Sequence, residues 1–352
     1  MRYKSLDNVN QGEKLGKNIL ADDGRILLHK GVVLTVGLLT KLRMMGVHSL
    51  FIEDDRFPDI DHEEVISETT KRRAVQTLSE SIQYIQQDKP VNTKNVQETV
   101  TTLLDELMEN KDVLIAVTDI RTQSNALFIH LLQVCLMSSM IGIQMGMNRS
   151  RLEELAVGAL LHDAGKYAGP IPVRELPQGY AGNEEELKHH SWKGFNLLRK
   201  SSEISTLSAH IALAHHEHLD GTGAPRGMSE EDIHFLAKIV AVTNDYDRLT
   251  SEGEEGEDRQ LFPHEAAEYI MSRTGEWYDH NVVWKFLRAV AFYPNGTQVK
   301  LSNNRTAVVT GQHKGLPQRP VVRTYERDGE SFLYEEIDLA ANPTVFITKV
   351  YE

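Results

Sequence analysis

Between Arg121 and Arg149 the chain carries no Asp, Glu, Lys or Arg. A helix of that length must either cross a bilayer or sit inside a protein core. His130, Gln133, Ser138, Ser139, Gln144 and Asn148 interrupt its apolar character. So many polar groups are costly in lipid. We therefore read it as a buried core helix and expect no membrane span.

The remainder of the 352 residues is ordinary globular material, 40% hydrophobic and 25% charged. The N-terminus MRYKSLDNVNQGEK has no apolar signal core. The single Cys135 excludes an internal disulfide framework and any CxxC zinc site. Together these predict a cytoplasmic protein. Lys and Arg number 38 against 51 Asp and Glu, a formal charge of −13. That argues against a nucleic-acid polymer as partner. The acid is concentrated in residues 61–291, which hold 22 basic against 36 acidic side chains. An anionic substrate is repelled there unless metal ions reverse the local field.

Four segments are expected. Residues 1–60 read as a small α/β module. Asn18 to Leu20, Asp23-Gly24 and Arg25 to Leu28 suggest strand, turn and strand. Leu38, Leu39, Leu42 and Met45 have helical spacing with Gly46 as a stop, Val47 to Ile52 closes as a strand, and Glu53 to Asp61 reads as a linker. Residues 61–118 read as a helical spacer, broken between Gln86 and Asn92. The alternative, a dimerising or signal-transmitting helix pair, lacks a strict heptad. Residues 119–291 are mostly helical, with an acidic glycine-containing loop at 251–259. Residues 292–352 alternate as strands do, and Asp328-Gly329 marks a hairpin. The fold class is thus mainly α, flanked by an N-terminal α/β module and a C-terminal β module.

Histidines carry the chemistry. His130, His162-Asp163, His190 and His215-His216 are donors suited to first-row divalent metals. The two pairs each follow an apolar helix, Leu152–Leu161 and Ile211–Ala214. Taken singly, each has a plain alternative: His130 as a hydrogen-bonded core histidine, His162-Asp163 as a helix terminus. The ordered set of four is far more specific.

HLLQV at 130–134, LLHDAGK at 160–166, HSWKG at 190–194, HHEHLDGTGAPRG at 215–227 and AKIVAVTNDYDRLTS at 237–251 follow one another as in the HD-GYP domain. This stretch resembles that branch of the HD metal-dependent phosphohydrolases over roughly residues 119–291. The resemblance implies an all-helical metal-binding fold and hydrolysis of cyclic di-GMP to pGpG or GMP. It implies two divalent ions, iron or manganese, with Asp163 bridging both. His130, His162 and Asn244 complete one site, and His190, His215 and His216 the other. A hydroxide between the metals attacks phosphorus, and Lys166 stabilises the phosphate.

Several positions depart from the pattern. The family's GYP is Gly223-Ala224-Pro225 here, so the tyrosine is lost. The family's last metal-binding aspartate aligns with Asn244. Asp245 is adjacent, but one residue along a helix turns the side chain by about 100°. Ala126 stands where some relatives place a third-metal glutamate, which favours two metals. Pro170, Pro172, Pro177 and Gly179 crowd the segment after Lys166. The departures keep a second reading open: a catalytically weak or inactive domain that binds nucleotide or metal and signals through its flanks, as a homodimer or with a signalling partner.

Overall fold

Residues 1–60, 64–169, 189–252, 259–328 and 331–351 are described by the structure, a computed structural model. The proline-rich stretch from Pro170 to Gly179, most of the acidic loop and Gly329 lie outside them.

The uncharged run folds as one long helix, α4 (Ala126–Gln144), with 83% of its most apolar window buried inside the protein. It is the one helix among the described residues long and apolar enough to cross a membrane. Two of its polar groups are answered internally: the Ser138 hydroxyl meets that of Thr243 at 2.7 Å, and His130 meets Asp247. Buried polar groups persist when they find such partners. Full burial of each Leu, Ile or Met along this helix contributes about 1.5–3 kcal/mol.

The same region of the chain holds α2 (Glu68–Gln86), α3 (Thr93–Glu109), α5 (Arg149–Leu160), α6 (His190–Leu198), α7 (Thr206–Ala214), α8 (Phe235–Ser251), α9 (Pro263–Ser272) and α10 (His280–Ala289). Residues 65–111 and 127–287 make one compact unit. The helices read as a spacer, α2 and α3, pack against one another, and α3 packs on α5. Val96, Val100, Leu103, Leu104 and Leu107 are all buried, so these helices belong to the core of this unit. Ser67, Asn92, Asn148 and Ser205 cap helix N-termini by accepting backbone N–H groups.

The second unit gathers residues 1–64, 112–126 and 288–352. Strand β1 (Arg2–Ser5) pairs with β4 (Ser49–Ile52), and β2 (Ile19–Leu20) with β3 (Ile26–Leu28), both antiparallel. The Asp23-Gly24 turn puts Gly24 at φ +78°, where glycine carries no steric cost. Helix α1 (Val36–Met44) starts at the Thr35 cap and turns out at Gly46. Strands β5 (Gln298–Leu301), β6 (Thr306–Gly311), β7 (Val321–Asp328), β8 (Ser331–Asp338) and β9 (Ile347–Val350) form an antiparallel sheet in the order β8-β7-β6-β5-β9. The segment from Glu53 onward does more than link: Phe57 and Ile60 are buried against Val308 and Tyr325.

Candidate metal centre

Three helix ends of the first unit converge. Helix α5 stops at Leu160 and delivers His162 and Asp163. Helix α6 starts at His190. Helix α7 stops at Ala214 and delivers His215 and His216. Gly165 permits the convergence. A Cβ there would lie 1.8 Å from the His190 carbonyl oxygen and 2.4 Å from Gly194 N. Only glycine lets the turn after Asp163 rest on the backbone of α6.

The last carbonyls of a helix lack intrahelical partners, and two of the histidines use them. His162 donates Nδ1–H to Ala159 O at 2.7 Å, and His215 donates to Ala212 O at 2.9 Å. Each ring is thereby fixed with its Nε2 lone pair facing inward. His130 is oriented in the same way by a carboxylate, donating Nδ1–H to Asp247 Oδ2 at 2.7 Å. Such partners set tautomer and direction in metal-binding histidines.

Asp163 lies at the centre and is fully buried. Its Oδ2 is 3.6 Å from His130 Nε2 and 3.7 Å from His162 Nε2. Its Oδ1 is 3.2 Å from His190 Nε2 and 3.7 Å from His215 Nε2. Oδ1 receives no hydrogen bond of good geometry among the described residues. Two donor groups result, His130–His162–Asp163 and Asp163–His190–His215–His216, each able to hold a metal ion. The Nε2 atoms of His130 and His162 are 3.2 Å apart, and those of His190 and His215 are 3.3 Å apart. Neighbouring ligands on one ion with bonds of about 2.0–2.1 Å stand roughly 3 Å apart, so the donor set fits a cation in each group.

The protonation states agree. Burial pushes His162 down to about 3 and holds His216 well below its usual value. Burial opposes ionisation of Asp163, yet His162, His190 and His215 hold its carboxyl well below the usual range. Neutral imidazoles and an ionised carboxylate are the forms that bind cations. Lys166 Nζ is 2.6 Å from Asp163 Oδ2 and half-exposed.

A cavity of about 510 Å³ adjoins this centre, and His216 lines it as well as belonging to a donor group. Ala224 lines it where the expected tyrosine is missing. The loop beneath is tightly closed. A Cβ on Gly223 would come within 2.3–2.5 Å of His218 N, Glu217 Cα and His216 O.

Asn244 is buried on α8 and donates to Asp245 Oδ1 at 3.3 Å. Asp245 joins neither donor group; its Oδ2 accepts from the Tyr278 hydroxyl at 2.8 Å, and it lines the cavity. Two residues escaped the sequence reading. Asp247 orients His130, and the only hint was its place one turn after Asn244 on the same helix face. Glu217 is buried and accepts the backbone N–H groups of Arg226 and Met228, both at 2.8 Å, which holds the loop in shape.

An HD domain profile matches residues 105–282, and a profile of the KOW domain associated with the HD domain matches residues 298–352. The chain belongs to the HD domain family. Within it, the chain is 29% identical to a cyclic di-GMP phosphodiesterase of Pseudomonas aeruginosa over 239 residues, 67% of this chain and 56% of that protein. It is 34% identical to a cyclic di-GMP phosphodiesterase of Thermotoga maritima over 197 residues, 55% of this chain and 52% of that protein. A 3'3'-cGAMP-specific phosphodiesterase of Vibrio cholerae is 32% identical over 124 residues, 35% of this chain and 27% of that protein. The chain thus spans about half the length of the first two relatives.

Proposed function

We propose that the chain is a metal-dependent phosphodiesterase that hydrolyses cyclic di-GMP to pGpG or GMP. The observation that carries this reading is the shared carboxylate: each oxygen of Asp163 faces a different pair of imidazole nitrogens. His130, His162, Asp163 and Asn244 would hold one divalent ion, and Asp163, His190, His215 and His216 the other, with iron or manganese as the proposed metals. Bound there, such a pair supplies a nucleophilic hydroxide at neutral pH and neutralises phosphoryl charge. The protein's own part is orientation. Ala159, Ala212 and Asp247 hold three imidazoles with Nε2 inward. The cavity beside His216 receives the rest of the nucleotide. Lys166, half-exposed next to Asp163, turns its ammonium toward the negative charge that builds on the phosphate.

Asn244 and Ala224 favour a second reading, a non-catalytic domain that binds metal or nucleotide and signals. One experiment separates the two. The purified protein is loaded with Mn²⁺ or Fe²⁺, its metal content is measured, and cyclic di-GMP turnover is followed by product chromatography. Two metals per chain with formation of pGpG or GMP supports the enzyme. Two metals with no turnover of any cyclic dinucleotide replaces it with the signalling domain.

A further inference from the structure

The cavity beside the metal centre has an uneven wall. One part is aromatic: the His218 and Trp277 rings stack with centroids 4.2 Å apart and planes within 7°, and the Arg273 guanidinium lies 4.6 Å over Trp277. Another part is a single carboxylate, Asp245. Its side chain is 17% exposed, held by the Tyr278 hydroxyl on Oδ2 and by Asn244 Nδ2 on Oδ1. A carboxylate offers about four lone-pair sites, so each oxygen can accept beyond the bond it already holds, and Asp245 lines the cavity. Nothing in the proposed chemistry uses Asp245, and it stands outside both donor groups.

A carboxylate deep in a site for an anionic substrate is unfavourable unless it recognises something. Arg248, whose Nη1 is 3.8 Å from Asp245 Oδ1, offsets part of its charge. The remaining feature that a carboxylate reads well is a pair of parallel N–H donors, met bidentately. Among purines, guanine presents such a pair on its Watson–Crick edge, at N1 and the 2-amino group. Adenine presents an acceptor at N1 and no 2-amino group. Flat aromatic walls combined with one edge-reading polar group are how proteins select an unstacked base.

We propose that Asp245 is the guanine-specifying residue of this chain, with the His218 ring, backed by Trp277, as the surface against which the base packs. This rests on the nucleotide-hydrolase reading above and names how that site chooses its base.

The test uses equilibrium binding to the metal-loaded full chain by calorimetry, with 5′-GMP, 5′-IMP and 5′-AMP as probes. All three carry the same phosphate, so attraction to the metal centre cancels in their ratios. GMP is expected to bind at least about tenfold more tightly than AMP. IMP, which keeps N1–H and lacks the 2-amino group, should fall between them. Asp245→Asn should lower the GMP-to-AMP ratio about tenfold, because the amide replaces one acceptor with a donor. Equal binding of the three nucleotides by the unaltered protein overturns the proposal even if Asp245→Asn fails to fold. An unchanged ratio in a folded, metal-loaded variant overturns it too. A guanine preference lost with Asp245→Asn, in a protein that turns over no cyclic dinucleotide, supports the base site and overturns the hydrolytic reading alone.

Discussion

Asp247→Asn tests whether the buried Asp247 carboxylate sets the tautomer of His130. Asp247 is buried, and its Oδ2 takes the Nδ1 proton of His130 at 2.7 Å. The asparagine is nearly isosteric but neutral. It can turn its NH₂ to the ring, in which case His130 carries its proton on Nε2 and can no longer give that nitrogen to a metal. Alternatively it presents the amide oxygen and keeps the tautomer with a weaker bond. A hydrogen bond to a charged group contributes about 1.5–3 kcal/mol. A loss of about 2 kcal/mol corresponds to roughly a 30-fold drop in affinity, within the range of about 10–100-fold seen when partners of metal ligands are removed. The effect should be confined to one ion, because His190, His215 and His216 do not depend on Asp247. The assay is a titration with Mn²⁺ against a competing chelator, which resolves a tight and a weak ion. Two ions bound with unaltered affinity would refute the reasoning, and so would equal weakening of both.

Three further outcomes are expected. Gly165→Ala must push the α5–α6 junction apart, since its Cβ meets the His190 carbonyl oxygen at 1.8 Å; about 3 kcal/mol of overpacking should lower the melting temperature by roughly 6–12 °C and reduce metal retention, and an unchanged melting temperature would contradict the close approach. Asn244→Asp should raise occupancy of the His130–His162 site under limiting metal, as read by metal analysis after mild chelation; unaltered metal content would show that position 244 is not a ligand. In the metal-free protein His162 titrates near 3 rather than 6.5 because it is buried. A depressed histidine destabilises the fold when protonated, so stability should be full above about pH 6.5 and fall toward pH 3, by an amount on the order of 5 kcal/mol; chemical denaturation showing no slope between pH 6.5 and 4 would remove His162 from the buried cluster.

Much of this was legible in the chain because the signals are local. The uncharged run had to become a buried helix. Asp23-Gly24 and Gly46 mark a turn and a helix end through backbone chemistry that acts within a few residues. His162-Asp163 and His215-His216 sit at the ends of apolar helices, and the free carbonyls at those ends then orient the rings. What was not legible depends on distant pairing. Asp247 looks like one acidic residue among several on α8, and only the fold puts it against His130, 117 residues away. Val96 to Leu107 have the spacing of any amphipathic helix; nothing local says that their partner is α5 rather than a second chain. Phe57 sits in a stretch with the composition of a linker, and its burial against Val308 and Tyr325 depends on a sheet almost 250 residues later.

The acidic balance of residues 61–291 poses the electrostatic question that the site has to answer. Each cluster of donors contains the same carboxylate, Asp163, and otherwise only imidazoles. Asp247 is bonded to His130, Asp245 to Tyr278, and position 244 is a neutral amide. Two dications held by one shared carboxylate, as proposed, would leave a strongly positive centre, and Lys166 beside it would add to that charge. A phosphodiester anion would then be drawn to this point of an otherwise negative segment. The same arithmetic bears on Asn244 as the proposed ligand of one ion. A carboxylate there would hold its ion more firmly and take away part of the charge that polarises water and phosphate. As a ligand of one ion, the amide would trade retention of that metal for electrophilic strength, and metal supply would then be the condition on which the proposed activity depends.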